Sequence, residues 1–326
     1  MCAPFAAETL SDPDGVLVLT TSDGTVPDPD PDPGVCDRLS SLPCIVVAVD
    51  RSAGDAPALA DVAPEGGVAS VEDIVHVVER NPVAATALVL LLRQAPRSLG
   101  AALVAESATY SVLQAGAEFR QWRRARPARE IRPESGPAVR IARNGHRLDL
   151  VLNRPHVRNA LDRAMRDGLL EGLAIAAADD SITRVVLHGI GPSFCSGGDL
   201  DEFGSFSDPA AAHVVRLTTS IGRSIDAVGS RLVALVHGPC AGSGVELPAF
   251  ATHVVARPDF TASLPEVGLG LIPGAGGTAS ITRRVGRHRM ALLALSDTRL
   301  EATTALEWGL VDEIRELEES DDPGVG

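Results

Sequence analysis

The sequence predicts an α/β fold with an additional helical region ahead of it. Three observations carry this. From residue 138 onward, short apolar runs alternate with amphipathic stretches, as strands and helices do in alternation. Two of those runs open into glycine-rich loops that lead into helices. Residues 70–126, by contrast, carry helix starts and apolar periodicity but no strand signal.

Taken in order, residues 1–69 read as an irregular N-terminal segment with one short strand, Cys44–Val49. The run from Pro27 to Gly34 alternates proline with aspartate, and proline lacks the N–H that helix or central strand requires. Asp28, Asp30 and Asp32 imitate the start of a calcium loop, but the prolines between them and Leu39 at the place of the closing glutamate argue for a solvated loop. Residues 70–135 read as a helical region and linker. Ser70 and Asp73 form a capping-box-like start, Pro82 opens a second helix to about Arg93, and a third is expected from about Pro96 to Arg126. Leu99, Leu103, Ala108, Val112, Leu113, Ala117 and Trp122 form its expected apolar stripe. A charged, proline-containing linker then places a boundary near 135.

Residues 136–326 form the α/β core with an acidic tail from Glu316 to Asp322. A hairpin is expected around Asn144-Gly145 with a type I′ turn. Helices follow at about 161–178, 209–228, 243–250 and from 276, with strands at 184–189, 232–237 and 252–256.

Composition narrows the function. The 326 residues are 45% hydrophobic, enough for a sizeable core, with a formal net charge of −14. An acidic chain argues against nucleic acid, which needs a basic stripe. All 29 basic residues are arginine, which excludes Schiff-base chemistry and the P-loop lysine. The five cysteines show no C-x-x-C spacing, so neither a zinc site nor a disulfide framework is expected. No basic-then-apolar leader is evident and no run is long enough to span a bilayer. A cytoplasmic protein without membrane partners is expected.

The chemistry sits in loops. The first runs from Gly189 to Leu200 and contains Ser193-Phe-Cys-Ser-Gly-Gly-Asp199; the second runs from His237 to Leu247 and contains Gly242-Ser-Gly-Val-Glu246. Neither fits a dinucleotide, P-loop or nucleophile-elbow motif. Small residues at a helix start leave N–H groups free to point at a ligand, and two such loops side by side can form an oxyanion hole. Tight packing is the other reading of the same glycines. Cys195 has no partnering histidine in sequence and reads as a packed thiol; His237 reads as structural.

A third stretch, Leu264-Pro-Glu266-Val-Gly-Leu-Gly-Leu-Ile-Pro-Gly-Ala-Gly-Gly-Thr278, completes an ordered set. Together with Asn153 to Leu161, Phe194 to Leu200, Gly242 to Leu247 and Ala305 to Val311, it resembles the crotonase (enoyl-CoA hydratase/isomerase) superfamily over about Val139 to Ile314. The resemblance implies a spiral of ββα repeats. It implies Gly198 and Ser243 as backbone N–H donors to a thioester oxygen, Glu246 and Glu266 as the catalytic pair, and contacts to substrate or CoA from Arg158, Ser196, Asp199 and Leu200. It implies an acyl-CoA substrate, no metal, no cofactor beyond the CoA of the substrate, and a homotrimer or dimer of trimers.

Two glutamates favour enoyl-CoA hydration: one takes a proton from the attacking water, the other delivers one to Cα. An isomerase or another crotonase reaction is the enzymatic alternative, and a catalytically silent crotonase-fold subunit is the other. Pro248, inside the expected helix after Glu246, motivates the doubt, because it removes a donor and crowds the carbonyl of Gly244. The stretch Glu106 to Trp122 looks like the family's C-terminal helices, as in a circular-permutation-like rearrangement. These helices are expected to cover the acyl pocket; Arg120, Arg123, Arg124, Arg126 and Arg129 near their end read either as contacts to CoA phosphates or as a solvated helix end.

Overall fold

A computed structural model describes residues 16–19, 42–49, 52–56, 59–94, 98–126, 136–205 and 207–317. Asp28, Asp30, Asp32, Arg129, most of the linker and most of the acidic tail lie outside the described residues.

The main sheet has six strands in the order β11-β8-β6-β5-β4-β3. The hairpin β3 (Val139–Asn144) and β4 (Arg147–Leu152) forms one edge. Strands β5 (Arg184–Gly189), β6 (Leu232–Val236), β8 (His253–Ala256) and β11 (Glu313–Ile314) extend it in parallel from β4. A small second sheet, β10-β9-β7, contains β7 (Pro239–Ala241), β9 (Thr261–Ser263) and β10 (Leu300–Glu301). The chain therefore runs β6–β7–helix and then β8–β9–helix, two successive turns of a ββα spiral. Both β7 and β9 are three residues long, too short to leave a periodicity in sequence. Strands β1 (Val16–Leu19) and β2 (Ile45–Ala48) pair in parallel apart from both.

The N-terminal helices are α1 (Val71–Arg80), α2 (Pro82–Arg93), α3 (Leu99–Gln114) and α4 (Ala117–Ala125). Ser70 caps α1 by accepting from Asp73 N, while Asp73 accepts from Ser70 N. Asn81 gives α2 no side-chain cap; Glu118 of α4 does so instead, accepting from Val83 N at 2.8 Å and Ala84 N at 3.0 Å. The single helix expected to Arg126 is broken at Ala115-Gly116, where a Cβ on Gly116 would meet the Leu113 carbonyl at 2.9 Å. Its buried face also differs from expectation. Ala108, Val112 and Ala117 are exposed, and Ala102, Leu103, Glu106, Ser107, Ser111 and Leu113 are buried, so a carboxyl and two hydroxyls face inward. Among the described residues no single helix is long and apolar enough to cross a membrane.

Later helices are α5 (Arg163–Ala178), α6 (Pro209–Thr218), α7 (Ile221–Val228), α8 (Ser243–Glu246), α9 (Gly277–Val285), α10 (Arg287–Ala294) and α11 (Ala302–Trp308). The stretch expected as one helix at 209–228 is divided at Thr219-Ser220, where Ser220 caps α7. The hairpin pairs Asn144 with Arg147, so its turn residues are Gly145 and His146, one residue later than expected. Of these two only Gly145 has positive φ, the pattern of type II′ rather than type I′.

One cluster of buried side chains runs from Ile45 to Val311 and joins Ile74, Leu88 and Leu103 to Leu271, Ile281 and Leu292. Fully burying each such aliphatic side chain contributes roughly 1.5–3 kcal/mol. The N-terminal segment is also tied by charge. Arg93 donates to both Asp61 carboxylate oxygens (2.8 and 2.7 Å) and to the carbonyls of Leu42 and Cys44, while Asp61 accepts from Val46 N in β2. Both side chains are buried, so losing either would strand the other at a cost of about 3–5 kcal/mol.

Candidate active site

Four chain segments converge on a cavity of about 240 Å³: the two glycine-rich loops, the Glu266-to-Thr278 stretch, and α3 from the N-terminal helices. Gly198, Asp199, Ser243, Glu246 and Glu266 all line it.

The first loop is fixed from below. Asn159 is buried, and its side chain accepts from Arg154 N and donates to the carbonyls of Ile190 and Ser193. Leu161 bridges to the loop in parallel, donating to Gly197 O (2.8 Å) and accepting from Asp199 N (2.9 Å). In that register the Gly198 N–H points away from Leu161, and it has no acceptor among the described residues. Ser243 opens α8, so its N–H has no intrahelical acceptor, and none is found elsewhere among the described residues. The Ser243 hydroxyl lies 3.9 Å from Cys195 Sγ.

Helix α8 ends after four residues and Pro248 opens a 3-10 turn, so the expected helix to 250 is shortened. Glu246 nonetheless reaches the cavity. Its Oε2 accepts from Ala275 N at 2.7 Å and Gly277 N at 2.8 Å. A Cβ on Gly277 would lie 2.5 Å from Glu246 Cγ, so only glycine lets the turn approach this closely. Burial pushes the Glu246 carboxyl up to about 7, opposed by those amides. Glu266 is buried, and its Oε2 has no hydrogen-bond partner among the described residues. Burial first, then the nearby Glu246 and Glu106, raises its pKa well above the carboxylate range. The carbon a side chain at Gly242 would carry would collide with Glu266 Oε1, and Gly242 has φ 48°.

A third carboxyl joins them that the sequence did not single out for chemistry. Glu106 of α3 accepts from Gly276 N (2.7 Å), Thr278 N (2.9 Å) and the Thr278 hydroxyl (2.6 Å). Burial and the Glu246 charge push it up to about 8. The signal was a lone carboxylate three residues after Leu103 on a buried helix face. From the same helix Tyr110 and Gln114 line the cavity, and Phe203, Glu202 and Arg216 complete the wall.

The remaining expected contacts are elsewhere or otherwise engaged. Asp199 lines the cavity, but its carboxylate meets Arg154 at 3.3 Å. Arg158, Ser196 and Leu200 do not line it. Arg158 is exposed with φ 54°, its carbonyl accepting from Ser196 N, and the Ser196 hydroxyl donates to Val157 O. Arg120 donates to Ala115 O and Arg126 pairs with Asp201. Burial raises the Cys195 thiol to about 11, so it is no thiolate nucleophile. His237 bonds Gly191 O at 2.9 Å, and burial lowers its pKa, as befits a neutral structural imidazole. Among the described residues no cluster of His, Cys, Asp or Glu is arranged to hold a metal ion.

Comparison with known proteins gives one consistent result. A family model described as enoyl-CoA hydratase/isomerase matches residues 148–321. The chain is 35% identical over 174 residues to a 2,3-dehydroadipyl-CoA hydratase of Escherichia coli, covering 53% of this chain and 68% of that protein. It is 33% identical to an enoyl-CoA isomerase/hydratase of Mycosarcoma maydis, covering 64% of that protein. It thus spans about two thirds of these relatives' length. Among solved structures, an enoyl-CoA hydratase from Thermoplasma volcanium superposes with a TM-score of 0.51 at 32% identity, covering 58% of this chain and 76% of that one. One from Bacillus anthracis gives 0.52 at 26% identity, covering 58% and 74%.

Proposed function

The chain belongs to the enoyl-CoA hydratase/isomerase family, the crotonase superfamily, and from that premise we propose that it adds water across the double bond of a 2-enoyl-CoA thioester. The observation that supports this most directly is one cavity lined by two N–H groups without acceptors and two glutamates, one with an unpartnered oxygen. In this reading the Gly198 and Ser243 N–H groups hold the thioester oxygen as it becomes an enolate. Glu246 and Glu266 share the proton work: the ionised member takes a proton from water attacking Cβ, and the neutral member delivers one to Cα. Raised pKa values suit that division, because burial of both carboxyls and the repulsion of Glu266 by the Glu246 charge favour one protonated member. CoA arrives with the substrate, and the reaction needs no other cofactor.

One observation favours isomerisation as a second reading. Glu246 Oε2 is taken up by two turn amides, which leaves Glu266 the freer proton carrier. Mixing the protein with crotonyl-CoA tests hydration directly. Loss of the conjugated-thioester absorbance with a 3-hydroxyacyl product supports it; no loss, with 3-enoyl-CoA converted to 2-enoyl-CoA, would transfer the assignment to isomerase.

A further inference from the structure

Resting on that acyl-CoA reading, we propose that the acyl group this cavity takes carries a carboxylate, paired by Arg216. Arg216 of α6 lines the cavity that holds the two glutamates and also a second cavity of about 180 Å³ beyond it. Leu103, Leu161, Val215 and Leu247 line the second cavity, and Gly274 and Ala275 border both. Arg216 is thus one of the residues at the junction of the two cavities, with Leu161, Arg166, Val215, Gly274 and Ala275.

That guanidinium is held but not neutralised. Nε donates to the Ser107 hydroxyl at 3.2 Å, and Nη2 donates to Ser107 O and the Ser111 hydroxyl. Its carbon lies 4.6 Å from the centroid of the Tyr110 ring. Nη1 makes no hydrogen bond, and no carboxylate lies within 4.0 Å among the described residues. Two other arginines near the site are paired with carboxylates: Arg154 with Asp162 and Asp199, and Arg166 with Asp167. The nearby Glu106 spends its oxygens on Gly276 and Thr278. The Tyr110 hydroxyl, also on the first cavity, has no partner among the described residues. Arginine stays charged, and a half-buried cation without a counter-ion costs free energy that a bound carboxylate recovers through charge-assisted hydrogen bonds. Tyr110 stacks beneath the guanidinium, and both seryl hydroxyls fix its plane, so Nη1, whose N–H groups are uncommitted, is pre-oriented to donate to a carboxylate oxygen. A methyl-terminated chain offers it no acceptor.

The test compares enoyl-CoA pairs of equal chain length, one ending in methyl and one in carboxylate. Turnover gives kcat/KM, and calorimetry on the saturated thioesters gives Kd without requiring turnover. The carboxylate member is expected to be favoured about 10-fold or more in both measurements. Arg216→Met should abolish the preference and improve longer methyl-ended chains; Arg216→Lys, which keeps the charge but not the planar group held by Ser107 and Ser111, should retain part of it. Equal handling of both members by the unaltered protein overturns the proposal, as does an equal loss on both in Arg216→Met. If neither thioester is hydrated, the function proposed above fails while Kd still decides this one: a carboxylate preference sustains it, and equal or absent binding overturns it.

Discussion

Glu106 and Glu246 hold alternate amides of one turn: Ala275 and Gly277 donate to Glu246, and Gly276 and Thr278 donate to Glu106. The two carboxyls lie 140 residues apart in sequence, one in the N-terminal helices and one in the second glycine-rich loop. The Gly-Ala-Gly-Gly run between Pro273 and Thr278 is what lets both approach the backbone. The turn at the candidate site and the helical region are thus a single hydrogen-bonded unit.

This pairing has a pH signature. Glu106 ordinarily titrates near 4.5 and does so at about 8 in the fold. The folded state then holds a proton that the unfolded chain releases, so stability falls as pH rises from about 4.5 to about 8. Glu246 and Glu266 add to the slope with the same sign. Glu106→Gln should therefore show a flatter dependence of the denaturation midpoint on pH over that window. An unchanged slope would mean that Glu106 stays ionised. Glu106→Ala orphans three buried donors and should cost on the order of 3 kcal/mol.

Glu246→Gln and Glu266→Gln should each lower hydration turnover by roughly 10²–10⁴. The stability effects should differ. Burial and the neighbouring carboxyls favour the protonated form of Glu266, so Glu266→Gln exchanges one neutral side chain for another and should leave the melting temperature near neutral pH almost unchanged. Activity lost together with unfolding in Glu266→Gln would refute that separation, and near-normal hydration by Glu246→Gln would favour the one-carboxylate isomerase site.

The proposed oxyanion donors can be separated from their side chains. Ser243→Ala keeps the N–H and loses only a hydroxyl 3.9 Å from Cys195 Sγ, so kinetics should be almost unchanged. Gly198→Pro removes the donor and should cost on the order of 3 kcal/mol of transition-state stabilisation. Any Cβ at 198 lies 2.6 Å from Phe203 Cε1, so Gly198→Ala with Phe203→Ala is the control that fills space but retains the N–H. That double variant should be far more active than Gly198→Pro; equal loss in both would point to crowding, not to the donor.

Which of these residues could be read without the fold follows from their physics. Gly198, Ser243, Glu246 and Glu266 sit in ordered local motifs, and the structure brings all four to one cavity. Strands β7 and β9 were invisible because three residues carry no period. The break at Gly116 was missed because apolar residues on both sides keep a helical spacing. Glu106, Tyr110 and Arg216 were missed for another reason. Their importance lies in partners 100 or more residues away, and no local spacing encodes such a meeting. Arg158 was carried by motif alone, and its backbone, not its side chain, makes the contact to Ser196.

Expressing residues 136–326 without the preceding helices should give an aggregating, inactive product. Tyr110 packs on Gly274, Phe119 on Gly270, and Leu103 near Gly276, so their removal uncovers the turn that shapes the site. It also exposes Leu271 and Ile272, buried in the same cluster as Leu103 and Phe119, and a contiguous apolar patch of that kind drives association. Without Glu106, the Gly276 and Thr278 amides lose their acceptor, and the turn that also anchors Glu246 is held on one side only. Adding a fragment of residues 60–135 should restore both solubility and hydration, since it returns the apolar cover and the carboxylate together. Carrying Glu106→Ala in that fragment should restore solubility but only part of the activity. Full activity from residues 136–326 alone would show that the turn holds its shape without α3.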